Sequence, residues 1–183
     1  AELDSKYDLY FPCGHIKLTA TNNENPFCWY QYPNTKSNGI ILKDILGMIM
    51  VEYIEFELCL MNIAKYLIKH GFDSNDNIKP FEGIMSFSQG STLGFLLCFL
   101  SKLTDTQFYE YIIKPNHTIF NKIGFVGLYT KYGQIFSKFL NIKCIVLTSA
   151  HLYPLPSQLK NSLDHFVNLN KFGIHYYSRK NPN

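Results

Sequence analysis

Charge is scarce in this chain of 183 residues, and what there is does not cluster. Asp, Glu, Lys and Arg make up 17% of the residues and leave a net charge of +3. No block of five or more basic residues occurs, so nucleic-acid binding has no electrostatic support. Long hydrophobic runs are missing too. Lys43 and Asp44 interrupt the apolar stretch 40–51, and Glu52, Glu55 and Glu57 interrupt its continuation toward the next apolar run. Nothing approaches the roughly eighteen uninterrupted apolar residues of a membrane span. The amino-terminal residues lack the basic-then-apolar pattern of a secretory signal. Internal repeats and low-complexity blocks are absent. The five cysteines (Cys13, Cys28, Cys59, Cys98 and Cys144) are odd in number, widely spaced and mostly in apolar runs. That pattern fits buried thiols in a reducing, cytoplasmic compartment better than a disulfide framework or a zinc site. The sequon Asn116-His117-Thr118 is then incidental. No metal and no cofactor is expected.

Aromatic residues are abundant at 16%, which excludes a disordered chain and supports a sizeable core. The length predicts a single domain over residues 1–183, large enough for a sheet covered on both faces. The excess of Asn, Lys, Ile, Tyr and Phe suggests an A+T-biased genome and carries no functional meaning.

One stretch names a chemistry. Residues 81–91, Phe-Glu-Gly-Ile-Met-Ser-Phe-Ser-Gln-Gly-Ser, read as an apolar strand, a tight turn centred on Ser88 and a helix beginning near Gly90. This is the layout of a nucleophile elbow, which holds a serine on a strained strand-to-helix turn above a parallel sheet. The positions two before and two after the serine are expected to be small, because the helix folds back against its own strand. They are Ser86 and Gly90, and Ser86 replaces the glycine of the usual G-x-S-x-G pattern. Upstream, residues 63–70 have helical spacing and stop at Gly71, followed by a polar loop at 73–77. Downstream, Leu93, Phe95, Leu96, Leu97, Phe99 and Leu100 are apolar on every side, as in a helix buried behind a sheet. The amino end of that helix would point at Ser88, with the N–H of Gln89 as first oxyanion donor.

From Pro80 to Ser91 the chain resembles the elbow of the serine hydrolases related to the ovarian-cancer-associated candidate 2 protein, whose segment reads Pro-Phe-Asp-Gly-(Val/Ile)-Leu-Gly-Phe-Ser-Gln-Gly-Ala. The Phe-Ser-Gln-Gly core is also similar to acyl-protein thioesterases, but Pro-Phe-Glu-Gly before it favours the first family. The resemblance implies an α/β-hydrolase-like fold, a mostly parallel sheet with helices on both faces, and esterase activity. Tyr10-Phe11-Pro12 to His15 is similar to the family's second strand and Pro-His loop. In that register the first strand, and with it half of the oxyanion hole, is missing. A competing register makes 7–11 the first strand and Cys13-Gly14-His15 the oxyanion loop. Residues 122–129 look like the strand after the elbow helix, and 144–148 like the next strand, which normally delivers the acid. Phe172-Gly173-Ile174-His175 is similar to the turn that carries the catalytic histidine. Two loop-like stretches, 21–38 and 114–121, would border an active-site mouth.

The order serine, acid, histidine is expected for such a fold. His175 is the leading base, in a glycine-containing turn after a strand-like run at 167–171. His70, His117 and His165 read as solvated or capping residues. The acid is where the pattern breaks. Counting from 144–148 places it at His151 or Leu152, and neither is a carboxylate. Asp164, on a helix expected over 157–166, and Asp105, after the elbow helix, read as ordinary helical or loop charges. Two functions fit these residues. One is a serine hydrolase of carboxylic esters or thioesters, weak for want of an acid, working through an acyl-enzyme at Ser88. The other is a degenerate hydrolase fold that binds an acyl ligand or a protein partner.

Overall fold

The protein is described by a computed structural model over residues 7–18, 27–31, 42–43, 49–51, 53, 55–148, 155–156 and 159. In chain order the elements are strands β1 (Ile16–Lys17), β2 (Phe27–Cys28), β3 (Leu42–Lys43) and β4 (Ile49–Val51), helix α1 (Phe56–His70), strand β5 (Phe81–Phe87), helix α2 (Gln89–Leu100), helix α3 (Asp105–Phe108), a π-helical turn (Tyr109–Ile113), helices α4 (His117–Lys122), α5 (Phe125–Tyr132) and α6 (Ile135–Phe139), and strands β6 (Leu140–Thr148) and β7 (Leu155–Pro156).

The helix periodicity has a visible result in α1. Phe56, Cys59, Leu60, Ile63, Ala64 and Leu67 recur at three- and four-residue spacing and are all buried. The helix ends at Gly71. α2 is different in kind: Leu93, Leu96, Leu97, Phe99 and Leu100 are buried around most of its circumference. It lies behind the parallel pair β5–β6, whose register runs from Phe81 opposite Leu140 to Phe87 opposite Thr148 with an irregularity between Phe81 and Gly83. Parallel neighbours need a crossover, and here it is the helical run α2–α6.

That run carries much of the core. Phe108, Phe120, Phe125, Phe136 and Phe139 are each almost fully buried. Phe120 meets Phe125 at 4.8 Å between ring centroids, and Phe108 meets Phe136 at 5.7 Å. Gln134 is buried where the run returns to the sheet. Its Nε2 donates to the Leu100 carbonyl at the end of α2, and its Oε1 accepts the Phe136 N–H at the start of α6.

Several expectations are corrected. Residues 122–129 form no strand: they close α4 and open α5. Apolar β-branched content at Ile123 and Val126 suggests a strand, but Ile123 caps α4 and Gly124, at φ 83, starts the next helix. Residues 114–121 are not a simple loop, since α4 begins at His117. Residues 7–11, the strand of both registers, carry no strand pairing, and the short β1–β2 antiparallel pair comes after them instead. The cysteines are free thiols, but only Cys59 is buried; Cys13 and Cys144 are exposed and Cys28 and Cys98 lie between.

The strand pairs among the described residues form three separate sheets: β1–β2, β3–β4–β7 and β5–β6. Two pairings, β4–β7 and β5–β6, are parallel. The single sheet with helices on both faces is not assembled among the described residues. There α2 covers one face of β5–β6, while Met85 and Phe87 on the other are 74% and 69% exposed.

Candidate active site

The turn between β5 and α2 holds the strain that its sequence suggests. Ser88 has φ 52° and ψ −123°, backbone territory that suits glycine and that other residues occupy only when held there. It is the residue immediately before α2, and it is half-buried. The Ser88 N–H donates to the Thr148 carbonyl at 2.9 Å, extending the β5–β6 ladder into the turn. The Ser88 carbonyl accepts the Ser91 N–H at 2.9 Å as the helix begins.

Ser91 supplies a second tie. Its hydroxyl donates to the Thr148 carbonyl at 2.8 Å and accepts the Thr148 N–H at 3.1 Å. Ser91 is fully buried, so both hydrogen-bonding capacities of the hydroxyl are used where water cannot reach. The family segment carries alanine at this place, and the hydroxyl gives this chain a bond that alanine lacks. A third tie comes from Gln89, whose Oε1 accepts the Trp29 N–H and whose Nε2 donates to the Tyr30 carbonyl, both at 2.8 Å. The first amides of a helix have no partner inside it, and the Gln89 N–H, next to Ser88, is the first of those of α2.

The small-residue requirement is met one turn later than expected. A Cβ on Gly90 would stand 3.9 Å from the Ser86 Cβ, an ordinary contact. A Cβ on Gly94 would stand 2.8 Å from the Ser86 Oγ and 3.0 Å from the Ile84 Cγ2. The close approach of helix to strand is therefore at Gly94. Ser86 itself fits beside Gly90, but its hydroxyl oxygen is buried with no hydrogen-bond partner.

The histidines separate into two groups. His175 and His151, with Asp164 and His165, lie outside the described residues. The described ones do not meet the elbow: no hydrogen bond or ion pair links a histidine to Ser88 among the described residues. His70 ends α1, its ring 4.6 Å from that of Tyr66 and 5.3 Å from that of Tyr10. His117 begins α4. His15, in the alternative oxyanion loop, faces the Glu55 carboxylate at 3.6 Å. Burial holds its pKa below the usual histidine value, against the opposing pull of Glu55. Asp105 opens α3, whose amino end is closed by a Thr104–Gln107 capping box.

The position of the acid loses its starting point. The count to His151 treats 144–148 as the second strand after α2, but with 122–129 helical, β6 is the first. Sequence reasoning passed over Trp29, Tyr30 and Thr148, which contribute backbone atoms to the elbow; backbone partners leave no mark on residue identity.

Among the described residues, no group of three or more His, Cys, Asp or Glu side chains is placed to hold a metal ion. No described helix is long and apolar enough to cross a membrane. A family model described as serine hydrolase (FSH1) matches residues 1–172. Neither the curated proteins nor the solved structures gave a match.

Proposed function

The chain belongs to the serine hydrolase (FSH1) family, within the α/β-hydrolase superfamily, and from that premise we propose that it hydrolyses carboxylic esters or thioesters through an acyl-enzyme at Ser88. The observation that carries this reading is the backbone of Ser88. A serine at φ 52° and ψ −123° costs about 1–3 kcal/mol over a relaxed residue, and glycine would remove most of that cost. The side chain is kept in a place where structure alone favours its loss.

In the proposed reaction Ser88 Oγ attacks the acyl carbonyl and passes its proton to His175. The tetrahedral oxyanion takes a hydrogen bond from the Gln89 N–H, at the positive end of the α2 dipole. His175 then protonates the departing alcohol or thiol. Water next attacks the acyl carbonyl, passing its proton to His175, which returns it to Ser88 Oγ as the ester bond to Ser88 breaks and the acid leaves. The reading is that of a Ser88–His175 dyad with no carboxylate assigned. His151, if it lies beside His175, would orient the imidazole by a hydrogen bond yet stabilise its protonated form poorly. In a serine protease, replacing the triad aspartate by its amide lowers turnover by about ten-thousand-fold, so slow turnover is expected here.

The test is labelling by a fluorophosphonate probe. The wild-type protein is expected to be labelled and Ser88→Ala not, with His175→Ala slowed at least a hundredfold, on the order of a general base's contribution. A folded wild-type protein that takes no label overturns the enzyme reading and leaves the degenerate binding module in its place.

A further inference from the structure

The one tryptophan of the chain lies against the elbow. Trp29 comes directly after β2 and is half-buried. Its indole Nε1 lies 3.7 Å from where a Cβ on Gly90 would stand, which puts the ring on the first turn of α2, two residues from Ser88. The segment is held from both sides. Gln89 spends its side-chain acceptor on the Trp29 N–H and a donor on the Tyr30 carbonyl. The next residue, Tyr30, is fully buried, its ring stacked on Tyr53 at 4.3 Å and edge-on to Phe56 at 6.0 Å. Trp29 is thus presented on a backbone that cannot shift without breaking a bidentate amide clamp or pulling an aromatic ring from the core.

We infer that Trp29 is the acyl-facing wall of the Ser88 site, a specificity-determining residue for an apolar acyl chain, and that Gln89 is the positioning residue that seats it. The inference rests on Ser88 being the acylated residue. An indole offers a large, flat apolar surface with few rotatable bonds, so it meets an alkyl chain at little entropic cost. Gln89 joins the two parts of the site. Its backbone N–H is the proposed oxyanion donor, and its side chain fixes the wall, so the oxyanion position and the acyl wall move together. The substrate class is an ester or thioester of an apolar acyl group long enough to reach the indole.

Because the tryptophan is single, its fluorescence reports on this place alone. Titration of the wild-type protein with sodium decanoate, a product analogue, is expected to shift the emission saturably to shorter wavelength, while sodium acetate leaves it unchanged. Decanoate without effect overturns the acyl wall, whether or not Ser88 reacts. In Gln89→Ala the free protein's emission is expected at longer wavelength, with exchange of the Trp29 amide hydrogen faster by about tenfold. Unchanged emission and exchange in that variant, with its circular dichroism intact, overturn the seating. With alkyl fluorophosphonates of increasing chain length, each methylene removed from water is worth about fourfold in rate. The preference for the long over the short probe is therefore expected to fall about tenfold in Trp29→Ala and in Gln89→Ala, and little in Trp29→Phe. A preference unchanged in Trp29→Ala overturns the specificity role. A wild-type protein that takes no probe at all counts against the nucleophile reading, and the decanoate titration then decides the wall by itself.

Discussion

The elbow and the helical run that separates it from β6 solve backbone problems in opposite ways. In the helical run the positive φ angles fall on glycines: Gly124 at 83° before α5 and Gly133 at 68° after it. At the elbow the positive φ falls on Ser88, with ψ −123°. The means of support differ as well. The run is held by aromatic packing, with Phe108, Phe125 and Phe136 buried against one another. The elbow is held by polar ties, from Ser88 and Ser91 to Thr148 and from Gln89 to the backbone of Trp29 and Tyr30. Apolar packing is non-directional and tolerates rearrangement, whereas hydrogen bonds fix distance and direction. A turn held in one strained geometry is served by the second kind. Among the described residues, two other non-glycine residues share a positive φ. Asp76 lies in a loop where the Asp73 carboxylate accepts the N–H groups of Asn75 and Asn77, and Glu55, in the left-handed helical region, precedes α1. Of the three, only Ser88 combines a positive φ with a position between a parallel strand and a buried helix.

The contrast can be broken by substitution. Phe136→Ala removes a fully buried ring from the helical run and is expected to lower stability by about 3–5 kcal/mol in chemical denaturation. Fluorophosphonate labelling should persist wherever that protein remains folded; loss of labelling in the folded variant would mean that the two regions are not independent. Gly94→Ala places a methyl group 2.8 Å from the Ser86 Oγ and is expected to cost about 1–3 kcal/mol. Adding Ser86→Gly should recover a large part of it, since the clash and the unpartnered hydroxyl leave together. No recovery would show that Ile84, at 3.0 Å, is the true obstacle. The smallest effects make the sharpest test. Ser88→Gly is expected to raise stability by about 1 kcal/mol, the relieved strain less the entropy that glycine loses on folding. Gly124→Ala, where a new Cβ meets nothing within 4 Å, is expected to lower it by about 1 kcal/mol through conformation alone. If both substitutions destabilise, Ser88 is not strained and the chief support for its chemistry is gone.

The elbow was legible because its chemistry is written in consecutive residues. A strand of seven residues, a serine and a helix of twelve, apolar on all sides from Leu93 onward, stand where 81–100 place them. α1 was legible at its end, where the spacing of Ile63, Ala64 and Leu67 stops at Gly71. The stretch 122–129 was misread for a physical reason. Short apolar runs do not distinguish strand from helix by periodicity, and here tertiary packing of Phe125 at full burial against Phe108 and Phe120 decides for helix. That one reassignment makes β6 the first strand after α2 and removes the basis for counting to His151. The cysteines were misjudged likewise. Cys144 sits in an apolar run, yet a strand alternates its faces, and Cys144 falls on an exposed position.

The sequence alone determined the family resemblance, the candidate nucleophile and the helix that receives it, because these depend on neighbours along the chain. The tertiary structure decided the partners of the elbow. Thr148, Trp29 and Tyr30 reach it mostly through backbone atoms from positions some sixty residues away. It also moved the tight contact from Gly90 to Gly94, since that distance depends on how closely a helix lies on its strand. Residue identity carries side-chain chemistry and local backbone preference. Which backbone atom meets which across the fold is settled only when the chain has closed on itself.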